Sequence, residues 1–294
     1  MLDILMPTIA QGLLWAVMAL GVYITFRVLD IADLTVEGSF PLGAAVAAAM
    51  LSEGYSVAAA FVCAAVAGML AGVATGLLHT KLKIPALLAG ILTMIALYSV
   101  NLRIMGKANL SLLRIDTIFT EIQTWFGLDN VYTVLAVGML AAVISGVFIY
   151  WFFGTEIGAA IRATGFNQQM IRAQGVDTRV TIILGLLISN ALVSLSGALI
   201  AQNNGFADVG MGTGTIVIGL ASVIIGEVLF GTRSFKNCII SVILGSVVYR
   251  IVIAAVLQMG MPPNDLKLFT AILVAFALSL PLVKDKLGIR KAVK

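Results

Sequence analysis

From Val57 to Leu78 the chain carries no charged side chain, and its apolar residues follow one another without alternation. A run of about 20 such residues is what crosses the hydrocarbon of a bilayer. In that solvent every backbone polar group must be satisfied by the chain itself, so only helices or closed barrels span it, and unbroken apolar character selects helices. The run is one of many: hydrophobic residues make up 61% of the 294 positions, charged residues 11%, and the mean hydropathy is +1.09. No soluble domain has that balance. The sequence is that of an all-α integral membrane protein, a single transmembrane domain over 1–294.

Apolar runs and their breaks predict about nine transmembrane helices: Ile9 to Phe26, Leu34 to Leu51, Val57 to Leu78, Ile84 to Ile104, Val131 to Phe153, Val180 to Ala201, Thr215 to Phe230, Cys238 to Leu257 and Leu268 to Val283. The start of the chain lacks the basic region and cleavage site of a secretory signal, so the first run is expected to persist as a membrane helix. The longer connection Met105 to Asn130 contains Trp125 and mixed charge and reads as an interfacial segment. If the tail "KDKLGIRKAVK" is cytoplasmic, alternation places thirteen of the 18 lysines and arginines inside, including Arg27, Lys81, Lys83, Arg162, Arg172, Arg179, Arg233 and Lys236. Only Arg103, Lys107, Arg114 and Lys267 fall outside, which is the asymmetry of cytoplasmic loops.

The second and seventh spans share a pattern. "DLTVEGSFPLGAA" and "DVGMGTGTIVIGLA" each read Asp, a gap, Gly-Ser/Thr, three apolar residues, Gly, one residue, Ala. Their neighbours correspond as well, and the odd fifth span between the two sets gives them opposite orientation. The sequence therefore predicts an inverted repeat with two interrupted helices: a first repeat (1–105), a connecting outer segment and fifth span (106–153), a cytoplasmic segment (154–179), a second repeat (180–283) and a basic tail (284–294). Such pairs of interrupted helices occur in transporters, where they point to the substrate path. "GMLAGVATG" puts Gly68, Gly72 and Gly76 on one helix face, which suits close packing within the subunit.

Ionisable groups inside spans are costly and face protein or water. Asp33, Glu37 and Glu227 lie in the two interrupted spans and Arg250 lies within the eighth, so Glu37 and Glu227 either line a path from pseudo-equivalent positions or pair with Arg250. Ser39, Asn101, Asn190, Gln202, Asn203 and Asn204 add neutral hydrogen-bonding groups suited to an amino-acid zwitterion, the last three at the outer mouth. His79, Cys63 and Cys238 receive no role. The chain has no H-E-x-x-H, G-x-S-x-G or Cys/His cluster, which argues against an intramembrane enzyme and against metal binding.

"GTEIGAAIRATGFNQQMIRAQGVDTR", residues 154–179, is the longest cytoplasmic connection. Helical spacing predicts two short helices, with Gly165 ending the first and Asn167 capping a second that runs to Gly175. Phe166, Met170 and Ile171 offer apolar area at the turn, a shape that fits another protein's groove. The chain has no G-x-x-x-x-G-K-[ST] loop, so transport energised by ATP would need a separate ATPase docked on this surface.

At these residues the chain resembles the permease subunits of bacterial ABC importers of the branched-chain amino acid and ribose type. "GAAIRATGFNQQMIRAQGVDTR" is similar to that family's coupling segment, "DLTVEGSFPLGAA" to its signature after the first span, and "SNALVSLSGALIA" to the stretch that follows the coupling segment. "IPALLAGILTMIALYSVNLRIMG" is similar to the subgroup for tryptophan or tyrosine uptake. The resemblance implies a bacterial cytoplasmic-membrane location, a second permease copy, two cytoplasmic ATP-binding subunits holding ATP and Mg2+, and an extracellular substrate-binding lipoprotein. No cofactor in this chain and no nucleic acid are expected. It also implies an ATPase-coupling role for Gly158, Ala159, Arg162, Ala163, Gly165, Phe166, Asn167, Arg172 and Gly175. Glu156-Ile157-Gly158 departs from the Glu-Ala-Ala pattern of other importer permeases. An ion-coupled secondary transporter, using Asp33, Glu37 or Glu227, is the alternative, and a non-transporting scaffold is a third reading.

Overall fold

A computed structural model of the chain describes residues 2–260 and, beyond them, 262, 265, 268–272 and 274–275. The helices are α1 (Leu2–Tyr23), α2 (Val36–Ser52), α3 (Val57–Thr80), α4 (Ala86–Met105), α5 (Ile118–Phe126), α6 (Asn130–Gly154), α7 (Glu156–Phe166), α8 (Gln168–Ala173), α9 (Thr178–Asn204), α10 (Thr215–Phe230) and α11 (Phe235–Gln258). Two short strands, β1 (Asn109–Ser111) and β2 (Phe206–Asp208), pair antiparallel with Leu110 opposite Ala207. Seven of the helical segments are long and apolar enough to cross a membrane, and α2 is a shorter apolar helix. Eight of the nine predicted spans are thus present, while the ninth, from Leu268 to Val283, and the basic tail lie largely outside the described residues.

Two helices sit at the centre. In Ile4–Val28 and Thr178–Asn204, 78% of the most apolar 18-residue stretch is buried, against 28–44% for the other long spans. Each central helix begins one of the predicted repeats and packs mainly on the other repeat: α1 lies against α10 and α11, and α9 lies against α2 and α3. The α3 glycine stripe makes one of these seams, with Gly68 and Gly72 against the Asn190 and Leu186 backbone of α9. That is packing within the subunit, as the spacing predicted.

Segments assigned to the same membrane side also meet. The outer connection supplies β1 to pair with β2 beyond the end of α9, and the Ile118 amide of α5 donates to Gln202 Oε1 at 3.0 Å. α5 begins with a reciprocal Thr117/Thr120 capping box, buries Phe119 and leaves Trp125 81% exposed, the amphipathic character of an interfacial helix.

The interruptions lie in front of the two short helices and not inside them. α1 ends in a π turn, Ile24–Val28, after which residues 29–35 run irregularly to α2. α2 itself is continuous through Pro41, whose missing N–H frees the Glu37 carbonyl, and that carbonyl lies against Gly212. The second lead-in follows β2 as a single 3-10 turn, Val209–Gly212, and breaks at Gly214, where φ is +84° and a β-carbon would be strained.

Candidate functional site

Asn190 stands near the middle of α9, halfway across the membrane. Its Nδ2 donates to Asp33 Oδ2 at 2.9 Å and its Oδ1 accepts from Ser39 Oγ at 2.7 Å. Asp33 Oδ1 accepts from the Thr35 amide at 2.9 Å, folding the lead-in back on itself before α2 begins. Thr35 Oγ1 meets Thr75 Oγ1 at 2.7 Å, and Thr75 reaches Thr93 Oγ1 at 2.9 Å. All six side chains are buried. In this environment an unpaired polar group is expensive, so the chain of partners fixes where α2 starts relative to α3, α4 and α9.

That anchoring places Glu37, in the first turn of α2, well inside the bilayer. Its Oε1 accepts from the Gly214 amide at 3.0 Å, so the lead-ins of both repeats meet in the membrane interior. Beside this contact is a cavity of about 510 Å³ lined by Glu37, Gly38 and Pro41 of α2, Met94, Ile95, Tyr98, Ser99 and Asn101 of α4, and Val209, Gly210 and Thr213 of the second lead-in. Asn101 is fully buried: its Nδ2 donates to the Gly38 carbonyl at 3.3 Å, and its Oδ1 has no protein partner among the described residues. A largely apolar cavity with a few converging polar groups is the usual form of a small-molecule site.

Glu227, Gln202, Asn203 and Asn204 do not line this cavity. Glu227 is not equivalent to Glu37: it lies in the last turn of α10, and its carboxylate pairs with the Arg27 guanidinium, Nε to Oε1 at 2.8 Å. The equivalence failed because a shared Gly/Asp pattern aligns the starts of the two helices, whereas Glu227 is at an end. Among the described residues Arg250 forms an ion pair with neither carboxylate offered to it. Its guanidinium lies over the Trp15 ring, Cζ 4.1 Å from the centroid, a cation–π contact. Gln202 Oε1 holds α5 while its buried Nε2 has no protein partner among the described residues, and Asn203 and Asn204 end α9. Sequence reasoning missed Thr35, Thr75, Thr93, Tyr98 and Ser99, because hydroxyls on apolar helices give no periodic signal.

Residues 154–179 form two short helices, α7 and α8. Thr155 caps α7 by accepting the Gly158 amide at 3.2 Å, and Asn167 Oδ1 caps α8 by accepting the Gln169 and Met170 amides at 3.1 and 3.0 Å. Gly175 follows α8 with φ +88°, as the sequence indicated. Gly165 does not end α7, which continues through Phe166. A β-carbon at Gly165 would run into the Val28 carbonyl, so its task is close approach to the end of α1. Gly158 makes a similar approach to Phe152 and Phe153, while Ile161 is buried and Thr164 Oγ1 meets Thr181 Oγ1 of α9 at 2.8 Å.

The opposite face of the pair is open. Phe166 is 94% exposed, Met170 51% and Ile157 54%, with Ala159 also exposed and Ala163 half-buried. Arg162 stacks its guanidinium 5.2 Å from the Phe235 ring centroid, and Arg172 Nε donates to Thr178 Oγ1 at 2.6 Å. Ile171 is buried, contrary to its expected place on the apolar contact surface, because α8 turns it inward.

Residues 4–278 match the family model described as branched-chain amino acid transport system / permease component. The chain belongs to this permease family. The permease is 40% identical over 270 residues to a tyrosine transport system permease protein of Clostridioides difficile (strain R20291), covering 92% of this chain and 88% of that one. It is 27% identical to the galactofuranose transporter permease protein of Escherichia coli (strain K12), over 88% and 74% of the two chains. Its fold matches a solved ABC transporter in an inward-facing conformation with a TM-score of 0.52 at 15% identity, over 95% of this chain and 85% of that one. The permease is thus the multi-pass, bacterial inner-membrane component of an ABC transport system, whose family works with ATP-binding subunits.

Proposed function

We propose that the permease imports an amino acid, with an aromatic one such as tyrosine or tryptophan favoured, and that α7 and α8 receive the stroke of a separate ATPase that binds ATP and Mg2+. The observation that carries this reading is the contact of Gly165 with Val28. The exposed Phe166 is adjacent to a point where α7 touches the backbone at which the first lead-in begins, and that lead-in runs through Asp33 to Glu37 at the cavity. A displacement of α7 is thereby passed along one short stretch of chain to the wall of the cavity. Buried neighbours resist independent movement, so the shift is shared and not absorbed.

The substrate class rests on the cavity and on a relative. Met94, Pro41 and Tyr98 give an apolar wall, while Glu37, Ser99 and the Asn101 amide oxygen give groups for an ammonium. The Clostridioides difficile relative bears the name of a tyrosine transport permease. Two copies of the permease, two ATP-binding subunits and an external binding lipoprotein would make the working assembly.

Uptake of labelled tyrosine and tryptophan into proteoliposomes containing the reconstituted assembly tests the reading. Uptake should require internal or external ATP at the ATPase face and fall about tenfold or more for Phe166→Glu, a loss equivalent to about 1.4 kcal/mol of coupling. Uptake that continues without ATP on an imposed ion gradient would replace it with the secondary-transporter alternative.

A further inference from the structure

On the side of the molecule away from the α4 cavity, a groove of about 370 Å³ runs between α6 and α11, walled by Val143, Val147, Tyr150, Ile239, Ile240 and Ile243. A second cavity of about 690 Å³ lies at its cytoplasmic end, where Trp151, Arg162, Ser234 and Phe235 gather. Tyr150 and Lys236 line both, so the two spaces adjoin along the protein surface as the two halves of one interrupted channel. The inner part has the apolar character of hydrocarbon. The lower part lies where α6 ends and α11 begins, at the cytoplasmic interface fixed by the basic loops.

We infer that this channel binds an anionic phospholipid of the cytoplasmic leaflet, with an acyl chain between α6 and α11 and the phosphate between Lys236 and Arg162. Charge selects the occupant. Lys236 and Arg162 are the ionisable groups with full charge in the linings, no Asp or Glu lines either space, and neither cation makes an ion pair among the described residues. Arg162 is held over Phe235 at 5.2 Å, which orients its guanidinium at the mouth while leaving its N–H groups available. Tyr150 and Trp151, 54% and 65% exposed, stand at the depth where aromatic side chains meet headgroups. A second copy of the chain fits less well: a two-fold contact sets a patch against itself, and this patch would oppose cations to cations. A lipid phosphate satisfies both at once, and its chain covers the apolar wall.

The inference is independent of the ATPase-coupling proposal, although the headgroup would touch α7 at Arg162. The test uses the full-length permease in nanodiscs of phosphatidylcholine with one quarter phosphatidylglycerol, transferred to mild detergent and read by native mass spectrometry. Phosphatidylglycerol should be retained in preference to phosphatidylcholine. Lys236→Gln should reduce that preference about fivefold, the effect of one basic group near an anionic surface, and Lys236→Arg should restore it. Val143→Trp should expel either lipid by filling the upper groove, and soluble glycerol 3-phosphate should not compete. Each variant is first shown to elute as wild type on size exclusion, since Lys236 and Val143 are both exposed. Equal retention of the two lipids, an unchanged preference in Lys236→Gln, or crosslinking of Val147→Cys to a second copy in native membranes would overturn the inference.

Discussion

The two lead-ins do the same job by different means. The first, residues 29–35, follows the π turn that ends α1 and is held chiefly by buried side chains: Asp33 and Ser39 on Asn190, and Thr35 on Thr75. The second follows α9 and is held chiefly by backbone. It carries the β1–β2 pairing, the Val209 amide donates to the Ala108 carbonyl at 3.1 Å, and Asp208 Oδ1 caps the turn through the Gly210 amide at 2.7 Å. The contrast follows from surroundings. The first lies among spans whose backbones are bonded largely within helices, so beyond its own turns onto Ile24 and Thr25 it is held by side chains. The second reaches an outer surface where a free strand edge is available. The first is also the one that touches α7, so the lead-in next to the cytoplasmic helices is anchored by groups that can exchange partners, and the outer one by a fixed ladder.

The largest expected effect comes from breaking the point where the two meet. A β-carbon at Gly212 would strike the Glu37 carbonyl, and backbone on both sides cannot yield. Gly212→Val should lower stability by about 3 kcal/mol, as for overpacking of a rigid site, and abolish uptake, measured by thermal unfolding in detergent and by proteoliposome transport. Asn190→Ala attacks the first lead-in alone. It leaves Asp33 and Ser39 short of a partner and should cost about 2 kcal/mol, with a matching fall in melting temperature. Asp208→Ala attacks the second and should cost only about 0.5 kcal/mol, the low end for loss of a cap, because the strand pairing persists. If the Asp208 variant proves as damaging as the Asn190 variant, the distinction between side-chain and backbone anchoring is lost.

Much of this was legible before any coordinates. The span from Val57 to Leu78 is the body of α3, because length and apolarity are read along the chain. Asn167 and Gly175 announced the limits of α8, since capping is local chemistry. Gly165 was legible as a glycine with a purpose, but the purpose was misread: nothing near it in sequence reveals the Val28 carbonyl on another helix. Glu227 shows the same limit more sharply, its partner Arg27 lying 200 positions away.

The sequence by itself therefore determined the solvent, the helices and the short pair α7–α8, because a bilayer imposes length and polarity residue by residue. Tertiary structure alone decided which charges pair, which hydroxyls link, where the cavity opens and what Gly165 touches. Those depend on how helices lie side by side in hydrocarbon, where close packing and hydrogen-bond satisfaction choose neighbours that hydropathy does not distinguish.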